Sequence, residues 1–593
     1  MSRHLLRVWV GPVQDFIRQA RRTRDLWFGS HLLSELARAG ARALAEAGAE
    51  LVFPPLDRGD PELEPCDGVF RADGSPIAPL ANELLAVLPE RVDPAETARQ
   101  VREAIFRRWR GVASAVKREC PGLLAPGIDQ VWEEQIETAP EFLASWAPLA
   151  GDYATTRRQL GRAIAGRKRL RDFGQWRHDR RGAPKSSLDG GRVSVLAEVR
   201  PKDLVRKYRI APGEQLDAVG LVKRAGGDPE QFPSIATVAL AAWIAAAAEE
   251  APDELGRLRA RARELDLPRL NRPDLAWTRA YPFEASVLLE SRVAPTFDEL
   301  GISGDPAAFV RHELRPLYRK IGEPSPYVAC LVADGDRMGK ALDDLDDPQA
   351  HRRFSKATAA FARRARQIVE QDHRGSLVYA GGDDVLAFLP VTDAVACADR
   401  LRRAFADAAK VAVGEGKEPP TLSVGIGIGH VMEAMGDLLE LGRDAEKLAK
   451  TKRNALAILL DKRSGGRSSW VASWDADPTP KERLARDEAL VDEKLSVKKI
   501  HEIAAIRRRL PKPAGLPQHE AEGFAAVLRG EVGRALARNE PESLAPIDVG
   551  LTLPDDYGKM REAVERWVDR LLIARAIAEA RPRRRSEPRA EAA

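Results

Sequence analysis

The stretch Leu377–Pro390, LVYAGGDDVLAFLP, decides how this chain arranges its most reactive residues. Two short apolar runs flank Gly381-Gly382-Asp383-Asp384. Paired glycines between β-prone segments predict a tight hairpin, because the favoured turns need positive φ. The turn then holds two carboxylates side by side at a strand end. Upstream, the apolar run YVACLVADGD closes on Asp334 and Asp336. Residues two apart on a strand share a face. If the two strands are neighbours, the four carboxylates converge. Oxygen-rich clusters of this kind suit Mg²⁺ or Mn²⁺. Two such ions can clamp a nucleoside triphosphate and activate a hydroxyl for in-line attack. Standing alone, GGDD reads equally well as a solvated turn; the D-x-D strand and the strand–turn–strand context favour a site.

Around this centre, strand and helix patterns alternate. The spacing predicts a strand over Tyr327–Ala333, a helix over His351–Gln371 and the hairpin Leu377–Leu389. A helix over Asp393–Val413, a strand over Thr421–Ile428, a helix over Met435–Lys450 and a strand over Ala455–Leu460 follow. This order predicts an α/β palm of ferredoxin-like type. The acidic run Asp343–Asp347 lies past the strand end and reads as a solvated loop or helix start. Near the N-terminus, Leu5–Val10 reads as a strand broken by Gly11-Pro12, with a helix through Phe16, Ile17 and Ala20. A helix over Trp27–Ala47, a strand over Leu51–Phe53 and a basic amphipathic helix over Ala95–Val116 come next. From Thr155 to Pro201 the chain turns Arg-rich, a candidate RNA or partner surface that reads equally as a solvated face. Residues 205–300 read as mostly helical, with a buried helix over Ile235–Ala248. Beyond Ser464 a polar loop leads to a helical region.

The expected organisation is an α+β multidomain chain. Residues 1–200 form a first palm with a basic insertion, and 201–325 a mostly helical linking domain. Residues 326–465 form the second palm, 466–580 a helical C-terminal domain and 581–593 a disordered tail.

The 593 residues are 44% hydrophobic and 31% charged, which supports ordinary globular cores and a well-solvated surface. The net charge is only +5, compatible with RNA contact through local basic patches. Cys66, Cys120, Cys330 and Cys397 lie too far apart in sequence for a zinc knuckle, and no disulfide framework is expected. A strand-like LLRVWV begins almost at once, so no signal peptide is expected. The longest apolar stretch falls short of the roughly twenty residues that a membrane span needs. No membrane association and a cytoplasmic location are expected.

Residues 326–461 resemble the catalytic palm of GGDEF-type nucleotide cyclases. Asp334 stands where that family's first metal-binding Asp lies, and Ser423-Val424-Gly425-Ile426 resembles its Ser-x-Gly-Ile strand. AEKLAKTKRNA, Ala445–Ala455, is similar to its phosphate-contacting helix end. That resemblance implies a triphosphate-binding role for Lys450, with Lys447 and Lys452 as neighbours. The segment VWVGPVQDFIRQARRTRDLWFGSHLLSELA, Val8–Ala37, resembles the start of the large subunit of type III CRISPR effector complexes, Cmr (III-B) subtype. GEQLDAVGLVKRAGGDPEQFPSIATVA, Gly213–Ala239, resembles the same family's centre. So do the stretches GISGDPAAFVRHELRPLY and NALAILLDKRSG on either side of the palm.

The resemblance implies two facing ferredoxin-like palms with two ATP molecules between them. It implies attack of one ATP 3′-hydroxyl on the α-phosphate of another, giving short, usually cyclic, oligoadenylate messengers when target RNA pairs with guide RNA. Asp334, Asp383 and Asp384 are the expected catalytic residues. With Asp336 they are the expected ligands of two Mg²⁺ or Mn²⁺ ions. Gly381, Gly382, Ser423, Lys450, Gln14 and Ser30 are expected to line the nucleotide, whereas Phe16 is expected in the core. The implied partners are backbone, guide-end-binding and small helical Cmr-type subunits, guide CRISPR RNA and target RNA. Many relatives begin with an HD nuclease; here His178-Asp179 is the only such dipeptide, and no HD chemistry is expected. Lys185–Arg192, KSSLDGGR, stands where relatives carry a cysteine cluster, so no zinc is expected. Three alternatives stay open: joining ATP to S-adenosylmethionine, a silent nucleotide-binding scaffold, and a stand-alone GTP-using cyclic-dinucleotide synthase.

Overall fold

The computed structural model describes residues 3–68, 77, 79–149, 151–170, 182–413, 418–463, 466–539 and 542–582. The middle of the Arg-rich run, with His178, and the tail from 583 onward lie outside the described residues. The first sheet starts from the alternation in His4–Gly11 (β1). Leu6, Val8 and Val10 enter a large core. Leu5 faces a smaller core with Val52, Leu85, Val87, Tyr153 and Leu160. Period two sends these sets to opposite faces. Thr23–Glu46 (α1), Glu50–Phe53 (β2), Glu83–Leu88 (β3), Pro94–Glu119 (α2) and Glu141–Pro148 (β4) complete the unit. The strand order is β2-β3-β1-β4, with every neighbour antiparallel, as a ferredoxin-like fold requires. Phe16 is buried in its core, edge-on to Trp109 with ring centroids 6.4 Å apart.

A buried charged cluster ties the linking segment to this palm. Ala218–Ala225 (α3) carries Arg224, whose guanidinium grips Asp25 at 2.5 and 2.8 Å and Glu214 at 2.9 Å. All three side chains are fully buried. Burial pulls the Asp25 carboxyl up, but Arg224 outweighs it and holds the carboxyl below its usual range. The Lys223 ammonium donates to the carbonyls of Phe16 and Gln19. The expected single helix over Ile235–Ala248 is two, Ile235–Ala239 and Ala241–Glu250, turning at Leu240. The second begins a separate helical core running from Leu240 to Ile321. Lys185–Arg192 closes by turn chemistry: Asp189 accepts from the Gly191 and Arg192 N–H groups, and Ser186 donates to Asp217.

The second palm repeats the topology. Tyr327–Gly335 (β5), Pro348–Gln367 (α4), Ser376–Gly381 (β6), Asp384–Pro390 (β7), Val391–Val413 (α5) and Leu422–His430 (β8) give the order β8-β5-β7-β6. Met435–Lys452 (α6) crosses to Ala455–Asp461 (β9), which runs parallel to β8. Arg467–Ser473 (β10) then adds an antiparallel edge. Here the expected polar loop is corrected. RSSWVAS alternates, with Ser468 and Trp470 buried, and Trp470 joins the large core. Pro480–Glu493 (α7), Val497–Arg509 (α8), Gln518–Ala537 (α9) and Tyr557–Glu579 (α10) build a C-terminal core of their own. Asp569 on α10 accepts the free Ser469 N–H of β10 at 3.1 Å.

The palms pack reciprocally: α1 of the first lies on β6, and α4 of the second lies on β2. The large core runs through both. Tyr153 bonds His351 at 2.8 Å across the junction, and Arg352 meets Asp57 at 2.6 Å. Asp347 caps α4 by accepting from the Ala350 N–H, and Asp343 meets Arg157 at 3.1 Å. No helix of the described residues is long and apolar enough to cross a membrane.

Removing one partner of a buried ion pair strands the other. Asp25→Asn is expected to destabilise the first palm by about 3–5 kcal/mol, read as a lower urea midpoint. Adding both Arg224→Met and Glu214→Gln, so that no charge of the cluster is left stranded, is expected to recover most of that loss. Equal midpoints for the single and triple variants would refute the pairing argument.

Candidate active site

The site is built by strand parity and one close helix. On β5, Cys330, Val332 and Asp334 share a face, and α6 lies on that face. A Cβ on Gly442 of α6 would fall 2.7 Å from the Cys330 sulfur and 3.0 Å from a Val332 methyl. From β8, Gly425 and Gly427 meet the same helix: a Cβ there would fall 2.0 Å from the Glu446 nitrogen and 2.6 Å from the Gly442 nitrogen. Only glycines let the helix backbone sit this close. The last turn of α6 therefore reaches the end of β5. There the Lys450 ammonium pairs with Asp334, donates to the Gly335 carbonyl at 2.7 Å and lies 3.4 Å from Asp336.

The hairpin delivers the other acids. Gly381 pairs with Asp384, which leaves Gly382 and Asp383 as the turn. Gly382 has φ +65° and Asp383 does not share the positive sign, matching a type II′ turn. Val328 to Ala333 of β5 pair with Pro390 to Val385 of β7 in unbroken register. One more step of that register sets Asp334 opposite Asp384, carboxyl beside carboxyl. Asp383 lies against Gly335, where a Cβ would fall 2.7 Å from its Oδ2.

Three acids thus face a single ammonium. Burial, reinforced by the Asp334 charge, pushes the Asp383 carboxyl up to about 6. Burial, the adjoining Asp334 carboxyl and the Asp383 charge push Asp384 well above the carboxylate range. Glu446, one turn before Lys450, is also raised, by burial and then by Asp334. Glu446 was missed in the sequence; its signal was the i,i+4 spacing to Lys450 on one helix face.

Asp336 sits apart from the other acids in its bonding. It is 2% exposed, and its oxygens accept from Thr421 Oγ1 at 2.8 Å, Ser423 Oγ at 2.8 Å and the Asn454 N–H at 2.9 Å. It fastens the end of β5 to β8 and to the entry of β9. Ser423 is fully buried beneath the acids, with its hydroxyl committed to Asp336. Gly382 borders a cavity of about 290 Å³ that also touches Lys356 and Arg363 of α4. Ser30 is buried and lines a small hollow with Trp27 and His31 of α1 and Leu377–Ala380 of β6, at the palm junction. Gln14 is exposed on the short helix Gln14–Arg18, which touches α6. Among the described residues, no three acids, histidines or cysteines already form a metal cage.

Comparisons with known proteins fit this architecture. Residues 327–457 match the family described as Cas10/Cmr2, second palm domain. Residues 5–114 match CRISPR-associated protein Cmr2, N-terminal. The chain is 26% identical over 564 residues to the CRISPR system Cmr subunit Cmr2 of Pyrococcus furiosus. That alignment covers 79% of this chain and 63% of the relative, so the chain spans less than two thirds of the relative's length. A solved type III-B Cmr-beta structure in the apo state shares the fold, with TM-score 0.62 and 16% identity over 97% of this chain and 82% of that one. Type III-B Cmr-beta bound to cognate target RNA does so with TM-score 0.61 and 15% identity over 98% and 83%. Cmr2-type domains are thus matched at both palms, and the fold is shared with the Cmr-beta structures along nearly the whole chain.

Proposed function

We propose that this chain is the large subunit of a type III-B (Cmr) RNA-guided antiviral complex, and that its second palm joins ATP into short oligoadenylates. The observation that carries this reading is the meeting of Asp334, Asp383 and Asp384 at adjacent strand ends, with the Lys450 ammonium paired to Asp334. The donors are all oxygen, as Mg²⁺ and Mn²⁺ prefer. Burial and the crowding of like charges hold the Asp383 and Asp384 carboxyls above their ordinary range, as in a site short of positive charge. Asp334, Asp383 and Asp384 would hold the ions. When bound, the ions supply Lewis-acid stabilisation of phosphate and an activated 3′-hydroxyl.

The chain's own groups do the rest. Lys450 neutralises phosphate charge once released from Asp334. Asp336, with its oxygens taken by hydroxyls and an amide, acts as a positioning residue that holds the end of β5. Gly382 leaves the turn open to a nucleotide. Ser30, at the palm junction, borders the second nucleotide. Attack of one 3′-hydroxyl on the α-phosphate of the other ATP expels pyrophosphate. Guide RNA, target RNA and the other Cmr-type subunits are the partners of this assembly, and target pairing starts synthesis.

The test is a product assay on the reconstituted complex with guide RNA, matching target RNA, labelled ATP and Mg²⁺ or Mn²⁺, with and without S-adenosylmethionine. Oligoadenylates are expected only with target, and Asp383→Asn/Asp384→Asn is expected to abolish them. Lys450→Met is expected to lower the rate by about 10²–10³-fold. A product that requires S-adenosylmethionine would replace the oligoadenylate assignment. Target binding without any product would sink the catalytic one.

The raised acids also predict a pH effect. A carboxyl whose pKa is raised on folding binds its proton more tightly in the folded state. Its ionisation therefore costs stability as pH rises from the ordinary carboxylate value of about 4 through about 6. Without divalent ions, Asp383→Asn/Asp384→Asn is expected to melt higher than the parent at neutral pH, with the gain vanishing near pH ~4. Added Mg²⁺ is expected to raise the parent's melting temperature and not the variant's. A variant melting no higher than the parent at neutral pH would show that the acids are not in conflict.

A further inference from the structure

A cavity of about 920 Å³ opens where the start of α1, the linking helices and the loop entering α6 meet. None of Asp334, Asp336, Asp383, Asp384 or Lys450 lines it. Its volume falls in the range of small-molecule sites, roughly 300–1,000 Å³. Its apolar wall includes Phe232, Ile235, Leu289 and Leu438.

Its polar lining is rich in arginine. The acids that accompany them are largely committed: Glu299 to Arg22 at 2.6 Å, Asp266 to Arg206 at 3.0 Å, Glu284 to Arg209 and Glu433 to Arg463 at 3.5 Å. Asp228 accepts from the Glu230 N–H at 2.9 Å, while Asp203 and Glu230 are exposed.

Against these stand donors with nothing to bond. Arg24 is 5% exposed. Its Nη1 donates to the Lys207 carbonyl at 3.1 Å, but Nε and Nη2 are buried without a partner. Arg22 Nε and Thr296 Oγ1, both on side chains lining the cavity, are also buried and unpartnered. Buried donors are almost always satisfied, so a cluster of orphans at one hollow marks a missing acceptor. Burial and the neighbouring Arg224 push the Arg24 guanidinium down to about 9. The Asp25 charge offsets this only in part, since that carboxylate is doubly bonded to Arg224. Nearby acceptors are thus spent, and an anion entering the cavity restores what Arg24 lacks.

We propose that this cavity is a second ligand site, which takes a phosphate-bearing small molecule of about mononucleotide size on the Arg24 guanidinium, with Arg269 and Arg292 closing over it. Planar guanidinium forks match phosphate oxygens two at a time. The phosphate is supplied either as a free polyphosphate or on a nucleotide, and the apolar wall distinguishes the two.

The test is calorimetric titration of the full chain with ADP and, separately, with inorganic pyrophosphate, in chelator and without divalent ions. One binding site is expected for at least one probe. Arg24→Gln is expected to weaken it by about 10–100-fold, while Asp383→Asn/Asp384→Asn leaves it unchanged. Tighter ADP assigns a nucleotide; equal affinities assign the phosphate alone. Should Arg24→Gln unfold, Arg269→Glu/Arg292→Glu is expected to show the same loss. No binding of either probe, or binding lost with the acid variant and kept with the arginine variants, would overturn the proposal. Neither result bears on ATP joining at the acid site, which the product assay reads independently.

Discussion

The flush seating of α6 against β8 and β5 is the constraint on which the acid site rests. Side chains at Gly425 or Gly427 would lift the helix off the sheet, because a Cβ there meets helix backbone rather than a movable side-chain tip. Lifting it would carry Lys450 away from Asp334 and leave the acids without their one close ammonium. Sheet register does the complementary work. It sets Asp384 opposite Asp334, and the two-residue turn places Asp383 beside Gly335. Helix packing supplies the positive charge and strand pairing supplies the negative ones. Asp336 locks the two together through Thr421, Ser423 and Asn454.

Much of this was legible in the chain because it is local. The glycine turn between apolar runs announced the hairpin, and the two-residue spacing of Asp334 and Asp336 announced a shared face. The second palm's alternation of strand and helix followed from period. What sequence could not disclose was how a shared face would be used. Asp336 lies one step past the strand end, where hydroxyls from a strand nearly ninety positions on (Ser423, |i−j| of 87) claim it. Strands β3 and β4 escaped notice for opposite reasons. ELLAVL is an unbroken apolar run without alternation, and EFLASWAP is a half-exposed edge. β10 hid behind its serines, of which Ser468 is buried where α10 packs on the strand.

Charge inside the first palm was the least readable feature. Lys223 and Arg224 stand in a run that looks like the end of a surface helix, with basic residues favourably placed at its C-terminus. Their burial depends on Asp25 and on the carbonyls of Phe16 and Gln19, some two hundred residues earlier. No local pattern contains such partners. The same distant folding leaves Arg24 beside Arg224 with two of its three guanidinium nitrogens unanswered.

The bond from Ser469 to Asp569 has a consequence for how the protein behaves in a crowded cell. A terminal strand offers a row of free amides on which another chain can add itself, and so begin a sheet-to-sheet aggregate. β10 is such a terminus, at the edge of the six-stranded second sheet opposite β6. Asp569 spends an acceptor there on an amide that a passing strand would otherwise take, and α10 lies along the strand behind it. A carboxylate at that edge also repels an incoming backbone carbonyl. Helix α10 is thus a guard against self-association as well as the spine of the C-terminal core.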